Sequence, residues 1–179
     1  MLCMIVYDIE IKSKKWVAEK NIEHFIELVL NKIIAQTLLK KYLKKTNLLQ
    51  INISLLSDQQ IKKINQKYRK KNKATNVLSF ANLDEKEINL LGLEKVINNL
   101  SNLILGEIVL GYETIKKEAK QANKNFNDHL THMLVHAVLH LLGYDHEQDD
   151  MAEIMEKFEI KILKKFDIAN PYLLIDKLN

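Results

Sequence analysis

Cysteine, proline and arginine are nearly missing from this chain of 179 residues, which carries one of each. A single cysteine, Cys3, excludes an internal disulfide and fits a reducing compartment. It lies in an apolar segment and reads as a small buried side chain rather than a nucleophile. Long hydrophobic runs are also missing: no stretch approaches the roughly 20 apolar residues that span a bilayer. The run from Leu2 to Tyr7 is cut by Asp8 and Glu10, too short and without the basic flank of a signal peptide. The expectation is a cytoplasmic protein with no membrane partner. There is no internal repeat, low-complexity segment or Gly/Ser linker, and the lone proline, Pro171, opens the tail. With 47% hydrophobic and 28% charged residues, the composition is that of a soluble globular protein, long enough for one core and too short for two comfortable ones. One α+β domain over residues 1–179, a small sheet of about four strands packed against helices, is the economical architecture.

Cationic residues number 27 against 23 acidic ones, a formal charge of +4. That excess alone proves no anionic partner. Its make-up says more, because 26 of the 27 are lysine and Arg69 stands alone. A guanidinium is always charged and binds phosphate in bidentate fashion, as an ammonium does not. Arg69 sits in Lys67-Tyr68-Arg69-Lys70-Lys71-Asn72-Lys73, a run that is either a solvated loop or a nucleic-acid contact surface. Lys40, Lys41, Lys44 and Lys45 read as the exposed face of a helix.

Apolar periodicity predicts strands over Met4–Ile11, Leu48–Leu56, Asn76–Phe80 and Leu105–Leu110. Helical spacing runs from about Trp16 to Lys45, as one long helix or two short ones. Ser57-Asp58-Gln59-Gln60 has the form of a capping box, opening a helix that reaches about Tyr68. Residues 81–103 show little periodicity, with a helix conceivable over 90–100. Glu113–Ala122 is helical, Asp128 is a candidate cap for a helix over about His129–Leu142, and a last helix spans Glu147–Phe166 with Ile154, Phe158 and Leu163 facing inward.

The chemistry concentrates in His136-Ala137-Val138-Leu139-His140-Leu141-Leu142-Gly143-Tyr144-Asp145-His146. On a helix, His136 and His140 lie roughly 40° apart around the axis and about 6 Å apart along it, so both rings reach one ion. Gly143 suits a left-handed helix end that turns His146 back to the same point. Three nitrogens at roughly 2.0–2.1 Å leave one tetrahedral position open, the arrangement of a catalytic zinc. Spacing alone does not separate zinc from another imidazole-preferring divalent transition metal. His132 is about 12 Å of helix rise from His140, which makes it a packing residue or a hydrogen-bond partner of a ligand ring or an acidic neighbour. His24 and His129 read as ordinary surface or packing residues. The spacing is also that of the metzincin proteases, whose glutamate is replaced here by Ala137. Without that base a peptidase reading is weak. Asp145 fits a role either in fixing the turn or in hydrogen bonding to a metal ligand.

Four blocks together resemble one family. Ile64-Asn65-x-x-Tyr68-Arg69, Thr75-x-Val77-Leu78-Ser79-Phe80, Gly106-x-Ile108-Val109 and the segment from His132 to Glu147 are similar, in order and spacing, to the YbeY family of bacterial metal-dependent endoribonucleases. The resemblance implies a small sheet beside a helical layer with a metzincin-like metal helix, one zinc ion per chain on His136, His140 and His146, and cleavage of single-stranded RNA. It further implies maturation of small-subunit ribosomal RNA and ribosome quality control, with the ribosomal RNA and small subunit as partners and no DNA. Arg69 matches the family's arginine and is the expected catalytic cation, with Lys67, Lys70, Lys71 and Lys73 holding the RNA backbone. Four positions depart from the usual pattern: Ala74 and Asn76 stand for proline and aspartate, Ala137 for glycine, and Glu107 for aspartate. The competing expectation is a ribosome-associated RNA-binding assembly factor with a structural metal.

Overall fold

The computed structural model describes residues 3–83, 94–95, 100–146 and 148–173. Strand β1 (Met4–Ile11) leads through a 3-10 turn (Lys14–Ala18) to α1 (Ile22–Ile34) and the one-turn α2 (Leu39–Tyr42). Then come β2 (Leu48–Leu56), α3 (Asp58–Arg69), β3 (Val77–Ala81), β4 (Asn102–Gly111), α4 (Tyr112–Gln121), α5 (Phe126–Leu141) and α6 (Asp149–Leu163). The sheet order is β1-β2-β4-β3. β2 runs parallel to both β1 and β4, while β3 is an antiparallel edge. Parallel neighbours require crossover connections, and here the returning segments carry helices that coat the sheet. The four strands and their helical layer agree with the α+β expectation.

The two faces of the sheet are unequal. Leu49, Ile51, Ile53 and Leu55 of β2 join Leu103, Leu105, Ile108 and Leu110 of β4 in the main core beneath α1 and α5. On the other face α3 seals a smaller cluster of Leu56, Ile61, Leu78 and Val109. The change of parity between Leu105 and Ile108 comes from a bulge. Gln50 pairs with Ile104 but Ile51 pairs with Gly106, so Leu105 is an extra residue and both halves of β4 face the same core. Gly106 has φ +146°, and a Cβ there would overlap the carbonyl oxygen of Phe80. Only glycine fits.

Trp16 fills the core edge, its indole N–H donating to the Leu56 carbonyl at 2.9 Å. The expected capping box forms at α3, with Gln60 Oε1 accepting from the Ser57 N–H at 2.8 Å. Beyond it, two helix starts cap each other. Asp58 accepts from Thr114 N–H at 3.0 Å and Glu113 accepts from Asp58 N–H at 2.8 Å, carboxylates placed where helix dipoles favour them.

Several boundaries differ from the sequence expectation. The helical region after β1 takes the second of its two expected forms, split into α1 and α2. The cap of α5 is Asn125, whose side chain accepts from Asn127 N–H at 2.8 Å, not Asp128. Helix α6 begins at Asp149, and Ile154 is 50% exposed while Met155, Glu159 and Ile162 are buried. Leu163 is buried and Phe158 packs against the core as expected, so only Ile154 departs, its place in the stripe being taken by Met155. Most of the helix conceived over 90–100, and Glu147, lie outside the described residues. No helix among those described is long and apolar enough to cross a membrane.

Replacing Gly106 with alanine imposes both backbone strain and overlap, and should destabilise the fold by about 2 kcal/mol or more. Urea denaturation measures this, and an unchanged midpoint would show that the bulge tolerates a side chain.

Candidate metal centre

Helix α5 presents His136 and His140 one turn apart at its C-terminal end, both half-buried. The helix then stops in a Schellman turn: Gly143 N–H donates to the His140 carbonyl at 3.0 Å and Tyr144 N–H to the Leu139 carbonyl at 3.1 Å. Gly143 takes φ +84°, the left-handed conformation that this reversal needs. Asp145 accepts from the His146 N–H at 2.7 Å, fixing the turn that returns the third imidazole. One ligand atom from each of His136, His140 and His146 then lies within 4.8 Å of the others.

The hydrogen bonds of the rings decide what those nitrogens can do. His140 Nδ1 lies 2.9 Å from the Tyr144 carbonyl oxygen, so it must carry the proton. His136 Nδ1 lies 2.7 Å from Glu159 Oε1 and donates in the same way. With Nδ1 as the donor in each ring, both Nε2 atoms are left as the acceptors, yet they stand 3.1 Å apart. Two lone pairs so close repel each other unless a cation lies between them. Ligand nitrogens at roughly 2.05 Å from a tetrahedral ion are separated by about 3.3 Å, so the spacing suits zinc or a similar ion. His146, the third member, is exposed.

Sequence patterns did not reveal Glu159, which organises this site from α6. It is 1% exposed and serves three donors: His136, His132 Nε2 at 3.1 Å, and the Tyr172 hydroxyl from the C-terminal segment. The expectation that His132 meets an acidic neighbour is met. Burial by itself would raise the Glu159 carboxyl, but the hydrogen bonds from His132, His136 and Tyr172 hold it at about 2. An ionised carboxylate behind His136 fixes the ring's tautomer and strengthens Nε2 as a donor. His140 is pushed down to about 4, by burial first and then by His136 and His146. It is neutral and free to coordinate at pH 7. His129, expected to be an ordinary residue, is buried and bonds Glu118 at 2.8 Å. Glu118 also accepts from Asn76 Nδ2 at 3.1 Å, so an aspartate at position 76 would set two carboxylates together.

The cationic residues lie across the edge strand from the histidines. Arg69 ends α3 and is exposed, Lys70 follows in the left-handed conformation at φ +58°, and Lys71 and Lys73 are exposed in the loop. Tyr68 meets Phe80 of β3 with ring centroids 5.2 Å apart. On the opposite face, Leu141 of α5 packs against Gly106, the register partner of Ala81. The C-terminal ends of α3 and α5 thus approach the same end of β3 from its two sides. Ala137 is fully buried, so the helix offers no carboxylate beside His136.

A mixed sheet with a three-imidazole cluster whose nitrogens lie close enough together to hold a metal ion defines the class of site. Residues 8–167 match the family described as Endoribonuclease YbeY. Endoribonuclease YbeY of Bartonella quintana is 40% identical over 169 residues, spanning 94% of this chain and 98% of the relative. That of Francisella tularensis subsp. novicida is 41% identical over 124 residues, spanning 69% and 72%. A solution structure of a Thermotoga maritima protein shares the fold with a TM-score of 0.52 and 23% identity, covering 90% of this chain and 92% of the other. The chain belongs to the endoribonuclease YbeY family.

Two outcomes follow from the geometry. Glu159→Gln should weaken metal binding by about tenfold to a hundredfold in competition with a chromophoric chelator, and unaltered affinity would leave the carboxylate no part in the site. The metal-free protein should lose stability in acid in two stages. Both groups have folded values below their unfolded ones, so each contribution is present above the unfolded value and lost on acidification. For His140 that window runs from 6.5 to about 4, and for Glu159 from 4.5 to about 2. Urea midpoints measured from pH 7 to pH 2 check the order.

Proposed function

We propose that residues 1–179 act as one metal-dependent endoribonuclease domain that hydrolyses phosphodiester bonds of single-stranded RNA. The observation that carries this reading is the pair of bare imidazole nitrogens at 3.1 Å, completed by His146, in a chain of the endoribonuclease YbeY family. Zinc is the proposed occupant, one per chain, held by His136, His140 and His146. When bound, such an ion supplies Lewis acidity toward a phosphate oxygen and makes water a usable nucleophile near neutral pH.

The remaining work falls to side chains of the chain itself. Glu159 holds His136 in register, and the Tyr144 carbonyl does the same for His140. Arg69 is assigned to the phosphate, where a planar, permanently charged donor pair stabilises charge that grows in the transition state. Lys67, Lys70, Lys71 and Lys73 hold the RNA backbone by charge. The biological substrate proposed is small-subunit ribosomal RNA, processed in the cytoplasm during ribosome maturation and quality control, with the small subunit as partner. DNA is not the proposed substrate. The assembly-factor alternative is not favoured, since the relatives are named as endoribonucleases.

The test uses protein stripped of metal, reloaded with zinc and given labelled single-stranded RNA. Cleavage should track zinc content and vanish in His140→Ala. Arg69→Ala should keep its zinc while single-turnover cleavage falls by about tenfold to a thousandfold. An unchanged rate would remove Arg69 from the reaction, and tight RNA binding with no zinc-dependent cleavage would favour the assembly factor.

A further inference from the structure

On the sheet face away from the histidines, α3 and β4 enclose a cavity of about 550 Å³ whose walls are chemically divided. One side is lined by Lys12, Lys63 and Lys67, and the Lys12 ammonium is ion-paired with Glu10 at 2.8 Å. Another is aromatic: Tyr68 and Phe80 meet edge to face at 5.2 Å, and Lys67 Nζ lies 4.8 Å from the Tyr68 ring centre. Ile64 and Val109 make an apolar base. Into this basic, aromatic pocket β4 directs one carboxylate, Glu107, whose Oε1 accepts from the buried Ser54 hydroxyl at 2.8 Å. Among the described residues no lysine or arginine closes an ion pair with it, although Lys63 and Lys67 line the same pocket.

That combination is poorly explained as a general phosphate surface, because a carboxylate set among the cations repels phosphate. It is well explained by a ligand that is flat, anionic at one end and rich in N–H donors at the other. We propose that this cavity binds one nucleotide of the RNA, with guanine as the preferred base. A carboxylate is acceptor-only. Guanine alone offers it two adjacent donors on its pairing edge, N1–H and the 2-amino group; adenine and cytosine offer an amino group and uracil a single N–H. The rings of Tyr68 and Phe80 supply the stacking wall that single-stranded RNA recognition uses, and the lysines take the attached phosphate. The volume is in the range of ordinary small-ligand sites.

The position ties this pocket to the reaction. Phe80, in its wall, adjoins Ala81, whose register partner Gly106 touches Leu141 beside His140. A base seated here belongs to a strand that runs past the edge of β3 toward the imidazoles. The pocket would therefore select a guanine near the cleaved bond. This placement rests on the endoribonuclease reading, but binding of the nucleotide does not.

The test titrates the ¹⁵N-labelled full chain with guanosine 5′-monophosphate, then with the adenosine, cytidine and uridine monophosphates, inorganic phosphate and a short Asp/Glu-rich peptide. Amide shifts should centre on Ile64, Lys67, Tyr68, Glu107 and Val109, with the guanine nucleotide binding at least about tenfold more tightly than the others. Tyr68→Ala, a change at a residue 58% exposed that the fold should tolerate, should weaken it by about tenfold or more. Glu107→Gln should abolish the preference for guanine while retaining weak binding of all four. Equal shifts with inorganic phosphate, a stronger response to the acidic peptide, or no response in this pocket would each overturn the proposal. Because no cleavage is measured, these results stand whether or not the metal centre hydrolyses RNA.

Discussion

Two imidazole nitrogens that can only accept hydrogen bonds are held 3.1 Å apart, and the rest of the structure can be read as the means of holding them there. Left alone, neutral rings would turn away or pick up a shared proton. Neither is easy here. Each ring's other nitrogen is committed, one to the Tyr144 carbonyl and one to Glu159, and burial with neighbouring rings keeps His140 unprotonated until about pH 4. The cost is a cluster of unsatisfied acceptors that a cation relieves.

Rigidity for this arrangement comes from outside the histidine segment. Helix α5 lies in the main core with ten buried residues, which include Leu134, Val138 and Leu141. Helix α6 brings Glu159, and the C-terminal segment closes Tyr172 over the same carboxylate. The bulge at Gly106 lets both halves of β4 pack toward α5 and leaves room for the Leu141 side chain. A buried charge as costly as Glu159 is tolerated because three donors share it.

Much of this was legible in the sequence for definite reasons. Alternation in β1 and β2 marked the strands, the Ser57–Gln60 box marked the start of α3, and the glycine after His140 marked the turn that returns His146. The start of β4 was hidden because the extra residue, Leu105, resets its alternation, so the pattern looked regular only beyond that point. Glu159 was hidden because a glutamate on a helix is ordinarily solvent-facing, and its partners His132, His136 and Tyr172 come from other segments. His129 lacked any local partner, since Glu118 lies on another helix. What sequence could not supply, in each case, was a contact between separate elements.

The central claim is that three imidazoles converge on one ion with a coordination position to spare. X-ray absorption at the zinc edge of the loaded protein tests it most directly. The account predicts three imidazole nitrogens and one further light atom at about 2.0–2.1 Å. A shell containing sulfur, or fewer than three imidazoles, would contradict it.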